Sequence, residues 1–304
     1  MRSVASSSTI IPTTMRRILI TGGAGQLGQA IYIKSEGSAN RYIIATHADV
    51  DICDGEDVER YIADHEIDIV VNCAAYTDVE GAEEHPERAM AINSDAVAIL
   101  AEVCQKHAVR LVHISTDYVF GGDSERRLPY REDDTPQPIN AYGRSKARGE
   151  SAVLAMRGGI VLRTSWLYAP WGKNFLLSIL RLARERRELS VVDDQRGTPT
   201  SALGLAEATV GMIDSGAIDD MSGIYHYCDA GECTWYDFAR AIVEEAAIEG
   251  CNISPITSRE RGMKAARPAY SALECSRIRD ISAVAILPWR ERLGEVMDMI
   301  NKAL

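Results

Sequence analysis

Arg17-Ile18-Leu19-Ile20-Thr21-Gly22-Gly23-Ala24-Gly25-Gln26-Leu27-Gly28 is the stretch from which the architecture follows. An apolar run of strand length, 17–21, passes directly into a glycine turn and then into a stretch of helical periodicity, 26–35. Strand, glycine turn and helix in this order open a dinucleotide-binding unit. Gly22, Gly25 and Gly28 let the backbone turn tightly and approach a pyrophosphate, which sits on the N-terminus of the helix that Gln26 and Leu27 begin.

The same alternation continues downstream. Apolar strand-length runs at 42–46, 67–71, 110–115 and 159–163 are separated by helical stretches at 55–65, 86–107 and 141–156. Strands that alternate with helices predict an α/β fold with a Rossmann-type doubly wound parallel sheet, whose ligands bind outside the carboxyl ends of the strands. Three segments fall at those ends. Thr46-His47-Ala48-Asp49 follows the second strand and offers neither an acidic residue at the strand end nor an arginine, so the choice between NADH and NADPH is left open. Asn72-Cys73-Ala74-Ala75-Tyr76-Thr77 is rich in small residues that allow a ligand close to the backbone. Ser115-Thr116-Asp117 brings hydroxyls to the end of the fourth run, whose His113 reads as a satisfied strand residue.

Tyr142 and Lys146 lie four apart at the start of the 141–156 helix, which puts both on one face. A phenol is a poor proton donor or acceptor at neutral pH, and a neighbouring cation stabilises its anion and moves it toward the working range. The spacing alone is common on solvated helix faces. It gains meaning by following a glycine turn, a small-residue strand end and a hydroxyl-bearing strand end.

Beyond 170 the regular alternation fades, and a smaller C-terminal substrate-binding domain is expected. It has helices at 174–187, 203–214, 235–247 and 289–303, and strands at 191–192 and 223–227. The expected division is a disordered extension over 1–14, a dinucleotide-binding domain over 15–170 and a mainly substrate-binding part over 171–304, of which 190–227 returns in part to the sheet. The 304 residues carry 44 acidic and 33 basic side chains, net −11, which argues against a nucleic-acid partner. No apolar run approaches a membrane span, and the first residues lack the apolar core of a secretory signal. Seven cysteines without a Cys-x-x-Cys pair point to reduced thiols in the cytoplasm, and no histidine has metal-ligand spacing, so no metal is expected.

Taken jointly, Thr-Gly-x-x-Gly-x-x-Gly at 21–28, Asn-x-Ala-Ala at 72–75, Ser-Thr-Asp-Tyr-Val-Phe at 115–120 and Tyr-x-x-x-Lys at 142–146 resemble the extended short-chain dehydrogenase/reductase superfamily. Arg163-Thr164-Ser165-Trp166-Leu167-Tyr168-Ala169, Asp194-Gln195-Arg196-Gly197-Thr198-Pro199-Thr200 and Arg267-Pro268 narrow the likeness to the dTDP-4-dehydrorhamnose reductase family, from about Met15 to the C-terminus. The resemblance implies NADPH-dependent reduction of a nucleotide sugar's 4-keto group, with NADH as the other cofactor to test, in the building of cell-surface polysaccharide. It assigns Tyr142 as general acid, Lys146 as the residue that lowers its pKa and holds the nicotinamide ribose, and Thr116 as carbonyl ligand. Gly22, Gly25, Gln26, Leu27 and Gly28 would meet the pyrophosphate, Asp51 and Ile52 the adenine side, and Ala74, Ala75, Tyr76 and Thr77 the middle of the cofactor. Val79, Asp117 and Trp166 would line the sugar pocket, and Arg267 would take the nucleotide phosphates. Some relatives carry an acidic residue in a metal-linked dimer where this chain has Leu203, which argues against a dimer of that kind; a homodimer formed otherwise is left open. Two other readings stand beside this one: another nucleotide-sugar 4-ketoreductase or epimerase, and a non-catalytic subunit similar to the regulatory subunit of methionine adenosyltransferase.

Overall fold

The computed structural model describes residues 15–281 and 283–303; the 1–14 extension lies outside the described residues. Six parallel strands form the central sheet: β1 (Arg17–Thr21), β2 (Arg41–Ile44), β3 (Ile69–Asn72), β4 (Arg110–Thr116), β5 (Ile160–Thr164) and a last strand, Gly223–His226. Across the sheet they run β2, β1, β3, β4, β5 and Gly223–His226. Chain order reverses on the two sides of β1, which makes the gap beyond β1 and β3 the switch point where a doubly wound sheet opens a ligand crevice. The strands are apolar almost throughout because helices cover both faces: Leu19, Val70, Leu111 and Val161 point into one core, Ile18, Ile20, Val71 and Leu162 into the other.

Helix Gln26–Lys34 leaves β1 and packs against Ala202–Asp214, whose buried apolar surface extends almost all round. Pro86–Met90 and Ala96–Lys106, expected as one uninterrupted helix, are joined by a π-helical turn at Ala91–Asp95. That turn faces Asn93 inward, where its side chain accepts from the Tyr76 amide at 2.8 Å and donates to the Tyr76 carbonyl at 2.9 Å and Ser145 Oγ at 3.0 Å. One residue therefore ties the 73–77 loop to the helix that carries Tyr142.

In the C-terminal part, Glu188–Val192 pairs in parallel with Asn252–Ile256. The latter strand is hard to see in sequence, because Asn252 and Pro255 break the apolar pattern of a short edge strand. Short helices at Val79–Glu84, Ser258–Arg261 and Ser276–Arg279 were likewise below the length at which periodicity speaks. Among the described residues no helix is long and apolar enough to cross a membrane, and no cluster of acidic, histidine or cysteine side chains could hold a metal ion.

Candidate active site

A cleft of about 940 Å³ opens at the carboxyl ends of β1, β3, β4 and β5. Its walls include Gly22, Gly25, Gln26, Leu27, Gly28, Asp51, Ile52, Ala74, Ala75, Thr77, Val79, Thr116, Asp117, Tyr142, Lys146 and Trp166. Sequence reasoning named all of these. Two of its residues stand elsewhere. Tyr76 is not on the cleft wall; its backbone is held by Asn93 and its ring lies under Arg88, 5.5 Å away. Arg267 is also off the wall, paired to Glu80 at 2.7 Å.

The glycine turn is required by contact as well as by conformation. Gly22 has φ +67°, and a Cβ there would stand 2.6 Å from the Ala74 amide nitrogen. The helix that follows has no side-chain cap at Gly25 and no acidic residue in its first turn, so its N-terminal amides and dipole are free for an anion. Lys173 and Arg88 lie on the same cleft and add positive charge. This donor set fits the pyrophosphate of a dinucleotide. Past the end of β2, Asp49 is occupied locally, since its Oδ2 accepts from the Thr46 amide at 2.8 Å and the Thr46 hydroxyl at 2.7 Å.

Tyr142 is the second residue of helix Ala141–Ala155, which Asn140 caps by accepting from the Gly143 amide at 2.7 Å. The helix start packs so tightly on the turn after β4 that a Cβ on Gly143 would be 2.1 Å from the Tyr118 carbonyl oxygen. That close approach sets Tyr142 and Thr116 on the wall of the same cleft. Burial pushes the phenol well above its ordinary value, and the Thr116 hydrogen bond opposes this only in part. The expected depression by Lys146 does not appear: Lys146 turns the other way, with Nζ 2.6 Å from the Ile114 carbonyl and 3.1 Å from His113 Nε2. Burial lowers Lys146 to about 8, against the opposing pull of Glu150 and Cys73. Ser115 donates to Glu150 at 2.6 Å, and the Thr116 hydroxyl, on the cleft wall with Tyr142, donates to Asp117 and accepts from the Tyr118 amide at 3.2 Å.

Asp117 is buried, with one carboxylate oxygen accepting from Ser271 at 2.6 Å and the other from Thr116 at 3.1 Å. Burial pushes it up to about 7, more than these hydrogen bonds pull it down. Its ordinary value is 3.8, so its contribution to stability is fully present below that pH and is lost as pH rises through about 7. Asp117→Asn should therefore flatten the loss of stability as pH rises from 3.8 to about 7, read from urea midpoints across that range. An unchanged slope would place the titration elsewhere.

The far wall was only half legible in sequence. Trp166 adopts a left-handed backbone, φ +46°, and its ring lies flat between Gly197 and Trp235. The two indoles stack at 3.6 Å with 9° between planes. Trp235, Arg88 and Lys173 were missed because each sits in a segment whose local pattern reads as an ordinary amphipathic helix or loop; only the fold delivers them here.

The family model described as the RmlD substrate binding domain matches residues 15–302. A dTDP-4-keto-6-deoxy-D-glucose reductase from Streptomyces niveus is 37% identical over 287 residues, covering 94% of this chain and 98% of that protein. A dTDP-4-dehydrorhamnose reductase from Mycolicibacterium smegmatis is 37% identical over 284 residues, 93% of this chain and 85% of the relative. Among solved structures, a dTDP-4-dehydrorhamnose reductase from Bacillus anthracis str. Ames in complex with NADP superposes with a TM-score of 0.86 at 34% identity, over 94% of this chain and 100% of that one. With its parallel sheet, glycine turn and Thr116, Tyr142 and Lys146 around one cleft, the chain belongs to the RmlD substrate-binding-domain family.

Proposed function

We propose that this protein reduces the 4-keto group of dTDP-4-dehydro-L-rhamnose to give dTDP-L-rhamnose, using NADPH, in the supply of nucleotide sugar for polysaccharide. The observation that carries the reading is that Thr116, Tyr142 and Lys146 line, at the switch point of the sheet, the same cleft as an uncapped glycine-turn helix. The names of the relatives agree with it, and NADPH is preferred because a close structural relative holds NADP.

Ketone reduction needs a hydride at carbon and a proton at oxygen. The nicotinamide, when bound, supplies the hydride. Thr116 hydrogen-bonds the carbonyl oxygen, and Tyr142 delivers the proton, so no free alkoxide builds up. The raised affinity of the buried phenol for its proton keeps Tyr142 in the acid form that reduction demands. Gln26, Leu27 and the glycines of the turn take the pyrophosphate, with Asp51 and Ile52 at the adenine end and Ala74, Ala75 and Thr77 in the middle. Val79, Asp117 and Trp166 shape the sugar pocket. Arg88 and Lys173 are better placed than Arg267 for phosphate, because Glu80 already neutralises Arg267. We assign the reaction to the cytoplasm, with residues 171–304 mainly serving the substrate.

The test is stoichiometry. Purified protein with the 4-keto sugar should consume one NADPH per product formed, and unchanged NADPH absorbance would refute the reading in favour of an epimerase or a binding subunit. A parallel assay with dTDP-4-keto-6-deoxy-D-glucose addresses the second reading, which the 37% identity to the Streptomyces niveus enzyme favours. Trp235→Ala should raise the KM for the sugar nucleotide about threefold to tenfold, the worth of one aromatic stack at about 0.5–1.5 kcal/mol, with kcat little changed. An unchanged KM would instead remove Trp235 from sugar-nucleotide binding.

A further inference from the structure

Beneath the cleft, sheet register lines up Thr21 on β1 with Asn72 on β3, and Asn72 with His113 on β4. All three are buried, and the row ends on Lys146. Thr21 Oγ1 donates to Asn72 Oδ1 at 2.6 Å, Asn72 Nδ2 is 3.0 Å from His113 Nδ1, and His113 Nε2 is 3.1 Å from Lys146 Nζ.

The protons in this row can be assigned by hydrogen-bond accounting. The Ala74 backbone N–H can only donate, and it reaches Asn72 Oδ1 at 3.2 Å. The amide oxygen of Asn72 therefore faces Ala74 and Thr21, and its NH₂ faces His113. His113 Nδ1 must then accept. A neutral imidazole carries one N–H, so that proton sits on Nε2 and points at Lys146. An ammonium has no lone pair with which to receive it. An amine does, and it still has a proton for the Ile114 carbonyl at 2.6 Å.

We propose that His113, oriented by Asn72, is a positioning residue that holds Lys146 as a neutral amine until the cofactor binds. Seating the anionic dinucleotide draws one proton from solvent onto Lys146, which becomes an ammonium and gives up the hydrogen bond from His113 Nε2, while His113 stays neutral. The remaining groups around Lys146 permit this. Glu150 is already committed to Arg163 and Ser115, Tyr142 stays a neutral phenol, and the Cys73 thiol, pushed up to about 12 by burial, stays protonated. The direction of the Lys146 and His113 shifts, both toward the neutral form, agrees with the geometry. The inference rests on the reading of the cleft as a nicotinamide cofactor site.

The experiment is calorimetric titration of the full chain with NADP⁺ at about pH 8.5, repeated in buffers of different ionisation enthalpy, so that the slope counts protons taken up. More than half a proton per site is expected. Asn72→Asp presents an acceptor to both neighbours and forces His113 into the other tautomer, whose Nε2 accepts from an ammonium; its uptake should fall close to zero while NADP⁺ still binds. His113→Phe, close in size and without a donor, should lower the uptake if Asn72→Asp does not fold. Binding without uptake in the unmodified protein, or equal uptake in the variants, would overturn the role of His113 alone. No binding of NADP⁺ at all would overturn the cofactor reading and the inference with it.

Discussion

Tyr142→Phe should lower turnover by about 10²- to 10⁴-fold and leave NADPH affinity almost unchanged, the signature of a lost general acid. The ring is buried and packs edge-on to Tyr118 with centroids 5.7 Å apart, so removing the hydroxyl preserves the fit and deletes only the proton. With the phenol gone, the developing alkoxide would rely on Thr116 alone. The measurements that separate chemistry from binding are single-turnover oxidation of NADPH with the 4-keto sugar and fluorescence titration of the cofactor. Undiminished turnover would remove Tyr142 from the mechanism. A parallel loss of cofactor affinity would instead mark a damaged cleft.

Arg163→Leu should cost about 3–5 kcal/mol of folding stability, because it strands a carboxylate in the interior. Arg163 has no exposed surface, and its Nε and Nη2 donate to the two oxygens of Glu150 at 2.8 and 2.7 Å. The guanidinium also lies over the Phe120 ring, 5.0 Å from its centroid, and 3.3 Å from His226 Nε2. Once Arg163 is removed, Ser115 is the remaining side-chain partner of Glu150. The denaturation midpoint in urea reports the loss. Combining Arg163→Leu with Glu150→Leu should recover much of it, since an apolar pair of similar size leaves no buried charge. A single variant as stable as the original protein would show that the pair contributes nothing to the fold.

Thr116, Tyr142, Lys146 and the glycine turn were legible as cleft residues because their signals are local. Gly22 needs a positive φ, the Tyr142–Lys146 spacing is one helical turn, and Thr116 ends a recognisable strand. Asn93 was not legible in this sense. Its role depends on a π-helical turn that no local pattern announces, and on the 73–77 loop happening to lie across from it. Arg267 shows the converse failure, where a motif marks a residue but the pairing partner, Glu80, comes from a helix 187 positions away in the chain.

Length, periodicity and punctuation were enough to determine the parallel α/β sheet and the edge of it that carries the site, since alternating apolar strands and helices can bury their faces in few other ways. Tertiary structure alone decided the state of the groups there. The stacking of Trp235 on Trp166, the turning of Lys146 from Tyr142 toward His113, and the row from Thr21 through Asn72 all depend on register between strands far apart in the chain. Protonation follows burial and hydrogen-bond partners, and those exist only once the strands lie side by side.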